Sequence, residues 1–225
     1  MNQLQLWWEW MTRDPGSFFP FLIFRVVAVL TAITFHEVAH GYIAYRCGDP
    51  TAKMLGRLSL NPIKHLDPIG TISLFLLGFG WAKPVPVNPR NFSNFRRDDF
   101  MVSIAGVVTN LTLFIVSTAL MVGIYKWTDS VAIGYLYSFL EMFSLINLGL
   151  GVFNLLPIPP LDGFHVLNDT LLRGRLRLTP QFFHTSQIIL ILLVMSGMLD
   201  GILSTVMNAL RNGVWNLFLR LTGVA

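Results

Sequence analysis

Charged side chains are scarce in this 225-residue chain. Asp, Glu, Lys and Arg together make up 12% of the residues, whereas 53% are hydrophobic, and an average soluble domain is about 25% charged. A soluble domain of this length buries only about 70% of the surface of its unfolded chain, so it could not hide this much apolar side chain from water. The composition excludes an ordinary soluble domain and predicts an integral membrane protein.

Cysteine, internal repeats and low-complexity tracts are also lacking. Cys47 is the single cysteine, which excludes a disulfide scaffold, and the apolar composition excludes a disordered chain. The first sixteen residues carry acids and three tryptophans where a signal peptide has a basic segment, so we expect no removable leader. In so apolar a chain, the net charge of +4 is typical of loops beside anionic lipid headgroups, and we expect no nucleic-acid partner.

Long apolar segments are what the chain has instead. Four are long enough to cross a hydrocarbon core of about 30 Å as helices, at about residues 18–45, 100–125, 131–156 and 186–210. A fifth, at residues 69–81, is rich in glycine and too short to span, which is typical of a re-entrant element. We therefore predict an all-α polytopic membrane protein with about four to six transmembrane helices. A short re-entrant or β-hairpin element is expected between the first and second core spans.

Two stretches in that interval have the pattern of short strands. Residues 52–61 alternate in polarity, and residues 80–88 carry valines between prolines, which confine a strand to the edge of a sheet. An exposed edge could capture an unwound substrate segment by strand addition. For the domain organisation we expect a single domain over residues 1–225. Its core would lie at about 18–165, followed by an extra C-terminal span at about 186–210.

Basic residues are distributed unevenly between the two sides of the membrane. Of the sixteen lysines and arginines, eleven fall in residues 46–97 and 173–177, whereas the opposite side has only Arg13, Lys126, Arg211 and Arg220. Basic loops face the cytoplasm by the positive-inside rule, so both termini are expected to face outward. This predicts a multi-pass protein of the cell membrane, with the inner ends of its first and third spans at the cytoplasmic side.

The first span ends in the motif His36-Glu37-Val38-Ala39-His40. Residues four apart share a helix face, so His36 and His40 can present two imidazoles to one metal ion. Glu37 projects about 100° around the helix and can reach a water on that metal as a general base. Such a motif arises by chance roughly once in a thousand such sequences. Three ionisable groups within one span are costly, which favours a metal site over a packing network.

Two histidines do not complete a zinc site, because a catalytic zinc usually has three protein ligands. The candidates for the third ligand are His65, Asp67, Asp162, His165 and His184. Asp162 is the best placed, because it lies just beyond the inner end of the third span. The prolines before it stop that helix and allow the chain to turn back.

The motifs HEVAH (36–40) and NLLPIPPLDG (154–163) together resemble the site-2 protease family of intramembrane zinc metalloproteases. Gly106 and Asn110 are similar to a G-x-x-x-N pattern of the family. The segments GRLSLNPIKHLDPIGT and WAKPVPVNPRNF resemble its compact prokaryotic subgroup, and no PDZ or CBS domain is expected. The resemblance covers about residues 35–165.

This resemblance implies one zinc ion per chain, with His36, His40 and Asp162 as ligands and Glu37 as the general base. It also implies cleavage within or near transmembrane segments of membrane-protein substrates. The distribution of basic residues predicts that this site lies near the cytoplasmic side of the bilayer. Asn154 could bind the substrate backbone or the oxyanion, or make a helix–helix hydrogen bond; the resemblance favours substrate contact. For Asn110, substrate contact and close helix packing are equally supported.

Several alternatives stay open at this point. Arg25 and Glu141 could form a pair inside the membrane or reach the interface separately. His65 and Asp67 could support a zinc histidine or serve only their loop. A zinc or ion transporter and a catalytically silent membrane scaffold are the competing functions. The transporter is disfavoured because one closed ligand set with a base does not make a pathway of successive sites.

Overall fold

The structure is a computed structural model that describes residues 3–77, 80–172 and 179–223. Across these ranges the chain forms α-helices joined by turns, short 3-10 helices and irregular segments. The α-helices are α1 (Gln3–Arg13), α2 (Pro15–Arg46), α3 (Thr51–Met54), α4 (Pro68–Leu77), α5 (Phe95–Ile124), α6 (Val131–Asn154), α7 (Asp162–Thr170), α8 (Pro180–Met195) and α9 (Asp200–Thr222). The predicted all-α class is confirmed. The basic stretch at 173–177 lies outside the described residues, and the orientation across the membrane stays a prediction.

Within the ranges that the structure describes, three helices are long and apolar enough to cross a membrane, namely α2, α5 with the turn that follows it, and α6. The helices α8 and α9 pass the same test as a pair, but the chain bends by 76° between them. Gly197 lies in this break with a φ of +71°, a left-handed conformation that ends α8. The described residues therefore contain three candidate spans, or four if the bent pair counts as one, which indicates a multi-pass membrane protein.

The strands predicted at 52–61 and 80–88 are wrong, because no strand forms in the part of the chain that the structure describes. Residues 51–54 are helical, and Gly56, with a φ of +64°, turns the chain soon afterwards. A single antiparallel bridge joins Leu66 to Ala82, and the prolines after it leave too few N–H donors for a ladder. Between the first two spans lies the ten-residue helix α4, about 15 Å long, half of what a span needs.

Helix α5 is the centre of the bundle and packs against α2, α6, α7 and α9. Helix α2 carries Ala28 and Ala32, both completely buried, and the carbonyl of Ala32 accepts a hydrogen bond from Asn110 of α5. Small side chains let two membrane helices approach closely. Residues four apart share a face of a helix, so His36 and His40 continue this stripe. The close packing of α2 on α5 therefore leads directly to the two histidines.

The C-terminal helix α9 is attached to the bundle by an apolar contact and an ion pair. Leu203 and Met207 pack on a buried cluster of Phe114, Leu148 and Val152. Further along the helix, Arg211 Nη2 lies 2.8 Å from Glu141 Oε1. Glu141 is thus paired with α9, while the guanidinium of Arg25 lies 5.8 Å from the centre of the Trp7 ring.

A buried carboxylate ties the C-terminal end of α2 to the segment that follows α4. Asp49 is completely buried and accepts hydrogen bonds from the backbone N–H of Thr51 at 3.1 Å and of Asn88 at 2.7 Å. The hydroxyl of Thr51 and the amide of Asn91 also donate to it. Burial raises the pKa of Asp49, but these four donors outweigh it and hold the pKa below its usual range.

Replacing Asp49 by Asn places an amide nitrogen among these donors. We expect Asp49→Asn to lower the unfolding free energy at pH 7 by about 1–3 kcal/mol. A group with a lowered pKa in the folded protein stabilises it above its unfolded pKa of about 3.9 and loses this effect as the pH falls further. The gap in thermal unfolding temperature between wild type and variant should therefore shrink below about pH 4. The exposed Asp129→Asn is the control, and a gap of equal size at pH 7 and pH 3 would contradict this account.

Candidate metal centre

Three ligand atoms from two helices converge near the C-terminal end of α2. His36 Nε2 and His40 Nε2 lie 3.0 Å apart, and Asp162 Oδ2 lies 3.3 Å from each of them. The histidines are on consecutive turns of α2, and Asp162 is the first residue of α7. Among the described residues these three form the one group of this kind that could hold a metal ion.

The turn between α6 and α7 brings Asp162 back to the histidines. Helix α6 ends at Asn154, and residues 155–161 fold into turns before α7 begins. Gly163 allows this turn to be tight, since a Cβ atom there would lie 2.2 Å from the carbonyl oxygen of Leu155. The turn therefore places a carboxylate oxygen beside the two imidazoles, and carboxylate oxygen is one of the ligand types that zinc accepts.

Hydrogen bonds to acceptors on α5 determine which nitrogen of each imidazole carries its proton. His36 Nδ1 lies 2.6 Å from Asn110 Oδ1, and His40 Nδ1 lies 2.7 Å from the carbonyl oxygen of Val102. Both oxygens can only accept, so both Nδ1 atoms must donate. In the neutral imidazoles this leaves each Nε2 with a lone pair directed at the other two ligand atoms.

The amide of Asn110 is itself held in one orientation. Its nitrogen donates to the carbonyl of Ala32 at 3.3 Å and to Asn147 Oδ1 at 2.8 Å. Asn147 in turn donates to the carbonyl of Phe143 at 2.9 Å. Both asparagines are completely buried. Because backbone carbonyls only accept, neither amide can be flipped. In the series of hydrogen bonds from His36 through Asn110 and Asn147 to Phe143, the donor and acceptor of every bond are therefore fixed.

Three lone pairs therefore face one another with no proton between them. Asp162 Oδ2 is buried and has no hydrogen-bond partner, a costly state for a carboxylate oxygen unless a cation is present. Tetrahedral zinc with bonds of about 2.0–2.2 Å sets ligand atoms about 3.3–3.6 Å apart, close to the separations seen here. The donor set of two imidazoles and one carboxylate fits zinc.

Gly106 of α5 lies directly against the two imidazoles. A Cβ atom at this position would lie 2.5 Å from His36 Cε1 and 2.5 Å from His40 Nε2. A glycine here lets α5 come close enough for Asn110 and Val102 to reach the histidines. The Gly106-x-x-x-Asn110 spacing thus fits the contact with the two histidines of the candidate metal centre as well as helix packing.

Glu37 and Asn154 share a cavity with His36. The cavity has a volume of about 530 Å³ and is closed on one side by α8 and α9, through residues that include Leu190, Asp200 and Met207. Glu37 Oε2 accepts a hydrogen bond of 2.7 Å from the backbone N–H of Val85. The amide nitrogen of Asn154 donates to the carbonyl of Leu150 at 3.0 Å, within its own helix.

The other histidines and acids considered as third ligands lie elsewhere. His65 Nε2 bonds the carbonyl of Ser59 at 2.7 Å, and Asp67 accepts from the N–H of Gly70 at 2.8 Å, at the start of α4. His165 faces Asp99 at 3.2 Å, and His184 packs beside the ring of Phe183. The partners of the two metal-site histidines are therefore Asn110 and Val102, and neither His65 nor Asp67 takes that role.

Two contributors to this site were missed by sequence reasoning. Asn147 could have been noticed, because a buried amide in an apolar span is costly unless it has a partner. The carbonyl of Val102 gives no signal in a sequence, because every residue has one.

Comparison with known proteins finds one matching family model and several similar proteins. The model of peptidase family M50 matches residues 100–197. YwhC of Bacillus subtilis strain 168, a zinc metalloprotease by name, is 40% identical over 207 residues, which are 91% of this chain and 93% of YwhC. The Rip2 proteins of Mycolicibacterium smegmatis and Mycobacterium tuberculosis H37Rv, also zinc metalloproteases by name, are 28% identical over 72% and 73% of this chain. This chain covers 64% of their length. No solved structure matches.

Gly106→Ala tests the contact between α5 and the imidazoles. The added methyl group must displace His36 or His40, so we expect the affinity for zinc to fall at least about tenfold. The control is Gly123→Ala in the same helix, where a Cβ atom has no neighbour within 4 Å. Zinc content after purification and competition with a chelator measure the effect. Equal zinc affinity in the two variants would show that zinc binding does not depend on the close approach of α5 to the histidines.

Proposed function

Because this chain belongs to peptidase family M50, the site-2 protease family of zinc metalloproteases, we propose that it hydrolyses peptide bonds within or near transmembrane segments of membrane proteins. The observation that carries this proposal is the convergence of His36, His40 and Asp162 beside a cavity that contains Glu37. A carboxylic base next to a three-ligand metal group is the arrangement that hydrolysis needs.

One zinc ion per chain would be held by His36 Nε2, His40 Nε2 and Asp162 Oδ2. When bound there, zinc supplies Lewis acidity, which polarises the scissile carbonyl and lowers the pKa of water. Asn110 and Val102 keep the two imidazoles in the tautomer that can bind a metal. Asp162 brings the negative charge that compensates a divalent cation in a site with few other charges.

Glu37 acts as the general base in this proposal. It takes a proton from the attacking water and returns it to the nitrogen of the leaving amine. The bond from Val85 N–H occupies Oε2, so Oε1 is the oxygen available for proton transfer. The same bond orients the carboxylate of Glu37 relative to His36. The contacts of Asp49 with Asn88 and Asn91 hold in place the segment that contains Val85.

Asn154 is proposed to contact the substrate, since it lines the cavity together with Glu37 and His36. Its amide nitrogen has a partner in Leu150, but a rotation about the side chain would let it bind a peptide carbonyl. For Asn110 the bonds described above support positioning of His36, and complete burial makes substrate contact the weaker alternative. Asn147 is proposed to position Asn110.

The proposed setting is the cell membrane, with the site near the cytoplasmic side and a membrane protein as substrate. The catalytic residues all fall within the proposed core at 18–165. The cavity extends past this core, because α8 and α9 provide one of its walls. The C-terminal helix pair therefore belongs to the substrate cavity and is more than an added anchor.

Glu37→Gln separates metal binding from hydrolysis. We expect the variant to bind one zinc ion like wild type and to lose about 10²–10⁴-fold in cleavage rate, because it cannot take up the proton. Cleavage is measured on a panel of single-span proteins with a tag at each end. Glu9→Gln in α1 is the control. Undiminished cleavage by Glu37→Gln would refute its role, and zinc uptake into vesicles without proteolysis would favour a transporter.

Asn147→Leu tests the chain of asparagines behind His36. Without its partner, Asn110 can rotate and no longer fixes the His36 tautomer, so we expect zinc affinity to fall about 10–100-fold. The measurement is competition with a chelator, with thermal unfolding as a check on folding. Asn208→Leu, at an exposed position of α9, should bind zinc normally. Normal zinc affinity in a folded Asn147→Leu would rule out this positioning role.

A further inference from the structure

A second cavity continues from the catalytic one toward the N-terminal half of α2. Its volume is about 300 Å³. Six residues line both cavities, namely Ile33, Gly80, Trp81, Ala82, Ile146 and Leu150. The two spaces therefore form one groove, which runs along α2 and α6 and reaches Glu37 at one end. We call the part away from Glu37 the distal groove.

The distal groove is apolar apart from one charge. Its walls carry side chains such as Leu22, Val26 and Leu30, and Arg25 is the one charged side chain among the described residues that line it. Arg25 lies near the ring of Trp7, and within the described ranges no carboxylate pairs with it. Glu141, the acid of α6, is engaged by Arg211. A cation on a membrane-spanning helix is costly, and such residues usually mark a binding site.

We propose that the distal groove holds the part of the substrate's transmembrane segment that leads away from the scissile bond, and that Arg25 binds an acidic side chain in it. This inference rests on the proposed function. A guanidinium can donate two parallel hydrogen bonds to one carboxylate, and such charge-assisted bonds are strong where water is scarce. Arg25 is therefore a specificity-determining residue for substrates that carry Asp or Glu in this segment.

The distance along α2 limits where that acid lies. Arg25 precedes His36 by eleven residues, which is about 16 Å of helix at 1.5 Å per residue. A helical substrate covers this distance in about eleven residues, and a fully extended one in about five, at about 3.3 Å per residue. The acid should therefore lie between about five and eleven residues from the cleaved bond.

Continuity with the catalytic cavity favours a substrate over a lipid as the occupant. A chain cut beside Glu37 must extend away from the site, and the distal groove is an apolar continuation of the cavity in which the cut occurs. An anionic lipid headgroup offers the same charge to Arg25, so the experiment must distinguish the two.

The experiment measures binding by the full chain with Glu37→Gln, in phosphatidylcholine nanodiscs. The probes are labelled single-span peptides of leucine and alanine, in which one Glu is moved stepwise along the span, each matched by a Gln peptide. We expect about tenfold tighter binding of the Glu peptide within a narrow range of positions. Adding Arg25→Gln should abolish the preference, and Arg25→Glu should transfer it to a Lys peptide at the same position. Arg220→Gln, in the last turn of α9, is the matched control.

Equal binding of Glu and Gln peptides at every position would overturn the proposal, as would a preference that survives Arg25→Gln. Loss of co-purified phosphatidylglycerol in Arg25→Gln, with no peptide preference, would assign Arg25 to lipid and equally overturn it. Cleavage by the protein with Glu37 intact is followed separately. If spans are cleaved but Glu peptides bind no better than Gln peptides, the role of Arg25 is refuted and the proposed function stands. If the Glu peptide binds better but the protein with Glu37 intact cleaves no span, the proposed function is refuted and Arg25 remains a site for an acidic side chain.

Discussion

The Nδ1 atoms of His36 and His40 donate hydrogen bonds to two acceptors on α5, and these two bonds determine how the metal site is built. They leave both Nε2 atoms bare, and a bare pair beside the buried Oδ2 atom of the Asp162 carboxylate is costly unless a cation is present. They also require α5 to lie very close to α2. The small residues Ala28, Ala32 and Gly106 meet this requirement, so helix packing and metal chemistry are served by one contact.

The elements around this contact each supply one further part of the site. The turn after α6 returns Asp162 to the histidines, and the segment after α4 holds Glu37 through the N–H of Val85. Asp49 fixes that segment to the end of α2 from a fully buried position. Helices α8 and α9 line the cavity, and α9 is attached to α6 through Arg211 and Glu141. Asp162, Glu37 and the segment after α4 must be held in fixed positions, which a mobile, solvated loop would not do. This requirement explains why buried polar contacts occur in so apolar a chain.

Much of this could be predicted from the sequence, and the remainder could not for identifiable reasons. His36, Glu37 and His40 are adjacent on one helix, so their spacing alone brings them together, and prolines before Asp162 indicated a turn. The strand predicted at 52–61 was wrong because residues 51–54 form a helix and Gly56 turns the chain. The strand predicted at 80–88 was wrong because Pro84 and Pro86 supply no backbone donors for a ladder. The break at Gly197 was missed because hydropathy does not register backbone conformation. Partners such as Arg211 for Glu141 depend on tertiary packing that a single sequence does not contain.

Two imidazoles with bare Nε2 atoms and one carboxylate are expected to form a zinc site. Zinc K-edge X-ray absorption of the purified protein with one equivalent of zinc measures the ligands of the bound metal. We expect four nitrogen or oxygen neighbours at about 2.0–2.2 Å, with the outer-shell scattering of two imidazoles, one of which is lost in His40→Ala. A shell of oxygen alone, a sulfur neighbour, or a spectrum unchanged in His40→Ala would contradict it.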